Sequence, residues 1–526
     1  MRNRWVQSFL RIVAAALFNL ASIAVAASPA QDRHVVVVVW DGMRPDFVSE
    51  QNTPALWKLA QSGVTFRNHH SVFPSATIVN GTAINTGVYP NRSGILANHD
   101  YQPKVSPESP IDVENARVVR KGDELSGGNY IAVSTIAELI HKAGGKTAIA
   151  TAKTVGLLFD RRAESRSGQN IFAGNSEPPK AVTEVVKMLG TFPPATQAAD
   201  RDTWTTKALT DVLWGSEIPL FSLLWLSEPD DTEHKTAPGA PPAIAAIKFS
   251  DQSLARVLAA LDRHDATSTT DIFIVSDHGF STIACSIDVP TILRDAGFDA
   301  VTTFRNKPKN GQIMIVGNGG MVLFYLIGHD AAVTRRLVEF LQQTDFAGVI
   351  LTRDPMEGTF TFDKAKIDPP SLGYGAARNE HAPDVEMSFR WTEDKNQFDT
   401  AGMIDGDWQR AAGKGTHATL SKFDMHNMLI AAGPDFRHGG PDLTASGNVD
   451  LAPTILQILG IKSSSPMDGR ILIEAMMPAE VQALSTTTET IEATKKFPTG
   501  TWRQYLKVSR AGSTVYLDEG NGAFTR

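Results

Sequence analysis

Carboxylate and imidazole side chains follow three apolar runs of the sequence, and each run is typical of a buried β-strand. Because the carboxyl ends of parallel strands meet at one edge of a sheet, these side chains are predicted to lie together. A set of Asp and His without Cys suits zinc or a similar divalent ion. The residues are Asp41, Asp230, His234, Asp277 and His278, and His417 joins them from the Gly-rich segment GKGTHATL.

The number of these side chains indicates two metal ions. A catalytic zinc takes about three protein ligands and keeps one position open, so six ligands make two sites. Two such ions about 3.5–4 Å apart can stabilise both the attacking and the leaving oxygen of an in-line displacement. A single aspartate at a strand end usually caps a helix, but three strand ends favour metal. From spacing alone, either Asp230 or Asp231 could be the ligand in EPDDTEH.

The segment FPSATIVNG at 73–81 places two hydroxyl residues, Ser75 and Thr77, at a predicted strand-to-helix turn. No histidine or lysine stands beside them in the sequence to act as a base. A hydroxyl held at a metal ion loses its proton readily, and a helix N-terminus further stabilises the resulting anion and a bound phosphate. Each hydroxyl is therefore a candidate nucleophile, and the alternative is that it only caps the helix.

Buried runs alternate with amphipathic segments along the chain, which predicts a mostly parallel sheet with helices on both faces. Two regions, about 100–130 and 300–415, are rich in Gly, Pro, Asn and charge, and are predicted to be insertions that cap a site. The polar tail from about 480 is predicted to be peripheral. Predicted strands are 34–40, 221–227, 271–276 and 428–433, and predicted helices are 53–63, 134–145, 243–263 and 450–461.

Composition limits the class of protein. The 526 residues are 42% hydrophobic and 20% charged, with a net charge of −7 and no later Lys/Arg-rich stripe, so long nucleic acid is not an expected partner. A single cysteine, Cys285, allows no intramolecular disulfide. Residues 1–27 combine arginines, an apolar run and small residues, and are predicted to be a removed signal peptide. The mature chain is expected to be periplasmic or secreted, without stable membrane insertion.

Five motifs carry a family resemblance, in the same order as in the family: VVVWDGMRPDF, FPSATIVNGTAINTGVYPNRSGILAN, EPDDTEH, VSDHGF and GTHATL. Over about residues 34–470 the chain resembles the type I phosphodiesterase/nucleotide pyrophosphatase family of the alkaline phosphatase superfamily. The resemblance implies an α/β fold with an alkaline-phosphatase-like core, a mostly parallel central sheet, helices on both faces and an inserted cap region. We expect this catalytic domain at 33–475 and a C-terminal extension at 476–526.

The resemblance also implies roles for individual residues. Thr77 is the expected nucleophile and a ligand of the first metal, and Asn98 in GILAN is expected to contact a phosphoryl oxygen. Ile78 stands where the family commonly has a phenylalanine associated with the substrate pocket, so selectivity for nucleotides is not implied. The implied ligands are Asp41, Asp277 and His278 for the first metal, and Asp230, His234 and His417 for the second.

The predicted function is an exported two-metal phosphohydrolase, with Zn²⁺ as the expected ion. It would cleave phosphodiester or pyrophosphate bonds in a small phosphorylated substrate, such as a nucleotide, through a phosphothreonine intermediate. The alternatives are a phosphomonoesterase or phosphonate hydrolase on the same core, and, from another class, a non-catalytic zinc-dependent binding protein. A monoesterase branch that resembles this chain carries a Lys-x-Arg pair. Here Lys153 is present but Val155 stands at the arginine position, which favours a diesterase.

Overall fold

The structure is a computed structural model, and it describes residues 33–162, 167–361, 381–477 and 484–526. The predicted signal peptide at 1–27 lies outside these ranges. None of the helices within them is both long enough and apolar enough to cross a bilayer.

The strands fall into three groups along the chain. The first group is β1 His34–Trp40, β2 Val64–Phe66, β3 His69–His70, β4 His99–Asp100, β5 Ile111–Asp112, β6 Thr147–Thr151, β7 Gly168–Phe172, β8 Asn175–Glu177, β9 Phe221–Leu226 and β10 Thr270–Val275. The second is β11 Ser281–Ile287, β12 Ala300–Val301, β13 Ile313–Gly317, β14 Met321–Leu326, β15 Ala347–Thr352, β16 Phe360–Thr361, β17 Val385–Phe389, β18 Trp391–Lys395, β19 Ala401–Asp407, β20 Gly415–Thr416, β21 Leu429–Ala432, β22 Pro441–Asp442 and β23 Ser446–Gly447. The third is β24 Thr486–Phe497, β25 Gly500–Ala511 and β26 Thr514–Thr525.

Helices alternate with strands in the first half of the chain, and further helices follow in the second half. They are α1 Pro54–Ser62, α2 Thr77–Thr86, α3 Pro90–Ser93, α4 Ala116–Leu125, α5 Ile136–Lys142, α6 Gly156–Phe159, α7 Ala181–Leu189, α8 Ala198–Lys207, α9 Asp230–Glu233, α10 Pro241–Arg263, α11 Val289–Asp295, α12 Ala331–Leu341, α13 Lys422–Met425 and α14 Leu451–Ile458. The helix predicted at 134–145 begins with a capping box at the start of α5, where Thr135 and Glu138 exchange hydrogen bonds with each other's backbone.

The central sheet has the strand order β22-β2-β21-β10-β1-β9-β6-β7-β8 in the described part of the chain. Strand β1 pairs in parallel with β9 and β10, and β6 pairs in parallel with β7 and β9. Strand β21, which was predicted only as a buried strand, runs antiparallel to β10. The sheet is therefore mostly parallel, as the alternation of buried runs and helices predicts.

Helices cover both faces of this sheet, and this explains why β1 is apolar at every position after His34. Val35 and Val37 face one core together with α2, α5 and α14, whereas Val36 and Val38 face a second core together with α1 and α10. Successive side chains of a strand point to opposite faces, so a strand covered on both faces must be apolar at every position.

Helix α2 is buried along its whole length and begins at Thr77. It ends at Thr86, because Gly87 takes a left-handed conformation with φ 68° that closes the helix. The predicted nucleophile thus lies at the first residue of a rigid, fully covered helix.

The region 300–415 is more regular than the sequence suggests. It contributes a six-stranded sheet of order β12-β13-β14-β17-β15-β16, and β18 and β19 join β11 and β20 in a four-stranded sheet. Many of these strands are only two to six residues long. Runs that short give little periodic signal, so the sequence indicated an irregular insertion.

The C-terminal strands are not peripheral, contrary to the expectation for the tail. Strands β24, β25 and β26 form a meander of 12-residue strands that packs on β15, and Trp502 and Leu506 are fully buried. Tyr516 Oη donates a hydrogen bond of 2.8 Å to Asp450 Oδ2 at the start of α14. The outer strand β24 is polar and exposed, and this strand made the tail appear solvated in the sequence.

The meander should therefore contribute to global stability. We expect Trp502→Ala to lower the free energy of unfolding by about 3–5 kcal/mol, since it leaves a large buried cavity. Thr490→Ala on the exposed strand β24 is the control and should change it by less than about 0.5 kcal/mol. Urea unfolding monitored by circular dichroism measures both, and equal stability of the two variants would contradict the packing described here.

Candidate active site

Three adjacent parallel strands deliver the predicted carboxylates to one edge of the central sheet. Asp41 follows β1 directly, Asp230 begins the short helix α9 after β9, and Asp277 comes two residues after the end of β10. All three carboxylates are buried. Strand pairing in register places these chain positions side by side, which is the juxtaposition predicted from the sequence.

One cluster of ligand atoms consists of Asp41, Asp277 and His278, whose donor atoms lie within 4.8 Å of one another. His278 Nε2 is 3.5 Å from Asp41 Oδ1 and 3.3 Å from Asp277 Oδ2. Thr77 Oγ1 lies 3.2 Å from His278 Nε2 and 3.5 Å from Asp41 Oδ1. The hydroxyl of Thr77 thus stands at the cluster that the family resemblance assigns to it.

A second cluster consists of Asp230, His278 and His417, again with donor atoms within 4.8 Å. His234 Nε2 lies 3.3 Å from Asp230 Oδ1, so His234 is a neighbour of this cluster. The structure therefore brings all six predicted ligands together, but it places His278 between the two clusters. Their assignment to particular ions stays a prediction.

Of the two neighbouring aspartates, Asp230 is the one whose carboxylate reaches the histidines. Its Oδ1 is 3.6 Å from His417 Nε2 in addition to its contact with His234. The carboxylate of Asp231 instead lies 3.6 Å from Arg201 Nη1.

The three imidazoles share one orientation. Each points Nδ1 at a backbone carbonyl, at 2.9–3.0 Å for His278 and His234 and 2.8 Å for His417. A carbonyl oxygen only accepts, so Nδ1 carries the proton and Nε2 presents a lone pair. Burial lowers the pKa of His234 and of His417, which keeps them neutral. Such orientation by a backbone acceptor is typical of metal-binding histidines.

Burial dominates the electrostatics of the carboxylates. It raises the pKa of Asp41 well above its usual range, and the nearby carboxylate of Asp277 adds to the increase. It also raises the pKa of Asp277 to about 7, although Lys153 opposes this. For Asp230 burial acts in the same direction, but Lys153 and His234 outweigh it and lower the pKa.

Lys153, the lysine that the sequence comparison with the monoesterase branch singled out, lies inside the site. Its Nζ is 2.6 Å from Asp230 Oδ2 and 3.0 Å from Asp41 Oδ2, and its side chain is 11% exposed. Burial disfavours its charge, but the two carboxylates more than compensate and raise its pKa. One cation thus faces three buried carboxylates.

The donor set fits divalent metal ions. Asp230 Oδ1 and Asp277 Oδ2 are buried without a hydrogen-bond partner, which is costly unless another group engages them. Neutral imidazoles and carboxylates that converge in this way are the ligands zinc prefers. These residues therefore form a candidate metal-binding site.

The remaining predicted residues occupy distinct positions. Asn98 accepts a hydrogen bond of 3.0 Å from the backbone amide of Ile78 through Oδ1, so its amide nitrogen is left to donate. Asn98 and Thr77 line the same cavity of about 260 Å³. Ser75 is buried, and its hydroxyl donates to the carbonyl of Thr419 at 2.9 Å, which places it in a structural contact.

Sequence reasoning missed part of the wall of this cavity. No motif marks these residues, because they come from the two regions that appeared irregular. The one feature of the sequence that could have indicated them is that they are polar residues in loops to which no other role was assigned. They are Asp112, Glu114, Asn318, Gln409 and Arg410.

A mostly parallel α/β sheet whose strand ends gather carboxylates and histidines around a helix-terminal threonine forms a candidate site for divalent ions beside a hydroxyl. The sequence model of the family described as "type I phosphodiesterase/nucleotide pyrophosphatase" matches residues 35–348, which are more than half of the chain. The chain belongs to this family, which confirms the resemblance drawn from its motifs.

Similar proteins agree with this membership. A venom phosphodiesterase of Naja atra is 24% identical over 259 residues, which cover 48% of this chain and 27% of that protein. Ectonucleotide pyrophosphatase/phosphodiesterase family member 1 of Homo sapiens is 25% identical over 252 residues, covering 47% of this chain and 23% of that protein. The matches thus span about a quarter of the length of these curated relatives.

Solved structures confirm the predicted fold. Human ectonucleotide pyrophosphatase/phosphodiesterase 5 superimposes with a TM-score of 0.59 at 16% identity, covering 85% of this chain and all of that one. The murine counterpart, an inactive variant in complex with AMP, gives a TM-score of 0.58 at 15% identity, covering 84% of this chain and all of that one.

The raised carboxyl pKa values predict pH-dependent metal binding. In the metal-free protein, Asp277, with a pKa of about 7, holds a proton over part of the neutral range, and burial shifts the pKa of Asp41 upward as well. An incoming cation must displace such protons. Zinc affinity should therefore fall as pH decreases from 8 to 6, by up to about tenfold per unit for each proton released. Competition with a chelator of known affinity measures this, and an affinity independent of pH would contradict it.

Proposed function

We propose that the chain is an exported two-metal phosphohydrolase that cleaves phosphodiester or pyrophosphate bonds through a phosphothreonine intermediate. The observation that carries this proposal is the position of Thr77 Oγ1, at the first residue of α2 and within 3.5 Å of both Asp41 and His278. Family membership supports hydrolysis of a phosphoester or phosphoanhydride bond as the reaction.

The residues have complementary roles in the proposed reaction. Thr77 Oγ1 gives up its proton and forms a bond to phosphorus. At the same time the bond from phosphorus to the leaving oxygen breaks on the opposite side, which faces Asp230 and His417, and the leaving oxygen takes up a proton. Asn98 donates its amide hydrogens to a non-bridging oxygen, and the backbone amides at the start of α2 add positive potential there. Water then cleaves the bond between Thr77 and phosphorus, releases the product and restores the hydroxyl.

Divalent ions at the site would supply Lewis-acid stabilisation of the reacting oxygens and lower the pKa of the hydroxyl and of water. Zn²⁺ is the proposed ion. Asp41, Asp277 and His278 would hold one ion together with Thr77, and Asp230, His234 and His417 would hold the other. The unpartnered oxygens of Asp230 and Asp277 support this arrangement.

The proposed substrate is a small phosphorylated molecule, a nucleotide or another phosphodiester. A cavity of about 260 Å³ suits a small substrate, and the AMP bound by the murine structural relative supports a nucleotide as one candidate. Export to the periplasm or the medium rests on the predicted signal peptide, and the secreted and ectoenzyme relatives support it.

A phosphomonoesterase is the second candidate, and Lys153 is the observation in its favour. A monoester leaves extra negative charge on the transferred group, and a cation beside that group stabilises it. Lys153 lies between Asp41 and Asp230, close enough to the site to supply such a cation. Val155, fully buried, supplies no second one.

A non-catalytic zinc-dependent binding protein is the candidate from another class. It would explain the ligand clusters but would not require a hydroxyl at the N-terminus of α2. Turnover that depends on Thr77 separates the two functions.

We expect Thr77→Ala to lower kcat/KM for a chromogenic diester by about three orders of magnitude or more, since the attacking atom is removed. Both zinc equivalents should remain bound, because water can take the place of the lost oxygen. Ser75→Ala is the matched control and should cost less than about tenfold, since its hydroxyl serves a structural contact. The reverse order of the two effects would assign the nucleophile to Ser75.

Diesters should be preferred over monoesters, because Asn98 donates to one oxygen and Val155 offers no charge. Matched p-nitrophenyl monoester and diester substrates measure this preference as a ratio of kcat/KM. A monoester preference of about tenfold or more, equivalent to about 1.4 kcal/mol of transition-state stabilisation, would instead establish the monoesterase and place Lys153 on the transferred group.

A further inference from the structure

Arg410 is a cation in the wall of the cavity, and it forms no ion pair with any residue that the structure describes. It lies on the loop after β19, and its Nη2 is 3.4 Å from His234 Nε2. Within the described ranges, no carboxylate oxygen lies within 4.0 Å of its guanidinium nitrogens. A guanidinium presents several donors in a planar fork, which matches a carboxylate or phosphate.

The acid nearest to Arg410 in the sequence is Asp407, the last residue of β19, and its carboxylate is engaged by backbone amides. Its Oδ2 accepts a hydrogen bond of 2.8 Å from the amide of Gly319, and its Oδ1 accepts one of 2.9 Å from the amide of Gln409. Asp407 is buried and fixes the loop against the segment after β13. Arg410 is thus held at the cavity by an acid that does not pair with it.

The other residues of the cavity wall indicate that the site recognises a substrate by its charge. Among the described residues that line it, none carries an aliphatic side chain or an aromatic ring other than imidazole. A nucleobase is usually held by apolar or aromatic surface, which this wall lacks. The acids Asp112, Glu114, Asp230 and Asp231 also line the cavity and disfavour an anion beside them. Lys153 and Arg410 are the lysine and arginine among the described lining residues, and Lys153 is already paired with Asp41 and Asp230, which leaves Arg410 for an anion.

We propose that Arg410 is a specificity-determining residue that binds a second anionic group, a phosphoryl or carboxylate group, on the leaving group of the phosphoester. This inference rests on the proposed function, in which Thr77 attacks from the side of Asp41 and the leaving oxygen departs toward Asp230. Arg410 adjoins His234, next to Asp230, so its guanidinium lies on the leaving-group side. The substrate class is therefore a phosphoester or phosphoanhydride whose leaving portion is itself an anion.

Three methyl phosphoesters that differ in the leaving group test the proposal. The leaving groups are 4-hydroxybenzamide, which is neutral, 4-hydroxybenzoate, which carries a carboxylate, and inorganic phosphate from methyl diphosphate. We compare wild type with Arg410→Met for each ester, so that differences in leaving-group acidity cancel in the ratio.

We expect Arg410→Met to lower kcat/KM about tenfold or more for one or both anionic esters, mainly through KM, and less than about threefold for the neutral ester. A loss for the carboxylate ester alone identifies a carboxylate as the bound group, and a loss for methyl diphosphate alone identifies a phosphoryl group. Arg410→Lys should recover part of the loss, since it keeps the charge but not the fork.

Arg335→Gln on α12 is the matched control, because it removes the same charge from an exposed position. It should leave all three ratios unchanged. A change of the same size in Arg335→Gln and Arg410→Met would show a general effect of net charge and overturn the proposal.

Equilibrium binding gives a readout that does not depend on turnover. Calorimetry with 4-hydroxybenzoate and 4-hydroxybenzamide on the Thr77→Ala protein, with and without zinc, should show tighter binding of the carboxylate. The added Arg410→Met change should abolish this difference. Equal binding of the two probes, or equal loss of activity on neutral and anionic esters, would overturn the role of Arg410.

If the proposed function were wrong, the experiments would give a different result. If Thr77→Ala hydrolysed all three esters at the wild-type rate, the phosphothreonine mechanism would be wrong. The two calorimetric probes would then still decide whether Arg410 binds an anion.

Discussion

The gathering of three buried carboxylates at one edge of the sheet is the constraint on which the rest of the structure depends. Asp41, Asp230 and Asp277 lie close enough to raise one another's cost of ionisation, and Lys153 supplies one opposing charge. Buried carboxylates are tolerated when cations and hydrogen-bond donors engage their oxygens. The two partnerless oxygens in this cluster are therefore the strongest structural argument for metal ions at the site.

The backbone around the carboxylates is arranged to hold this charge in place. Gly42 donates its amide to Asp277 Oδ1, and Trp225 donates its indole to Asp41 Oδ2. His417 reaches the carbonyl of Ser75, just before α2, so a loop from late in the chain orients both a ligand and the turn that carries Thr77. These contacts fix the turn before α2 and the carboxylates beside Thr77, and α2 itself is buried along its whole length.

The C-terminal meander is linked to the carboxylates and to α2 indirectly, through Asp450 and its neighbours. Tyr516 contacts Asp450, whose Oδ2 also accepts from the amide of Gly447. The next residue, Asn448, donates to the carbonyl of Asp277 and to the side chain of Asn80 on α2. This connection explains why a segment far from the site in sequence is packed into the fold.

What the sequence determined by itself is local: apolar runs with polar ends, the glycine after α2, and the order of the motifs. These features predicted the α/β fold, the shared edge of the sheet and the set of six ligands, because strand direction and helix termini follow from short-range rules. The tertiary structure decided which groups face each other. It placed His278 between two clusters, Lys153 between Asp41 and Asp230, and Arg410 beside His234. It also buried β25, the central strand of the C-terminal meander, although the neighbouring edge strand β24 is polar and exposed. Contacts of this kind join residues far apart in the chain, and their geometry depends on strand register and loop packing, which one sequence does not encode as a local pattern.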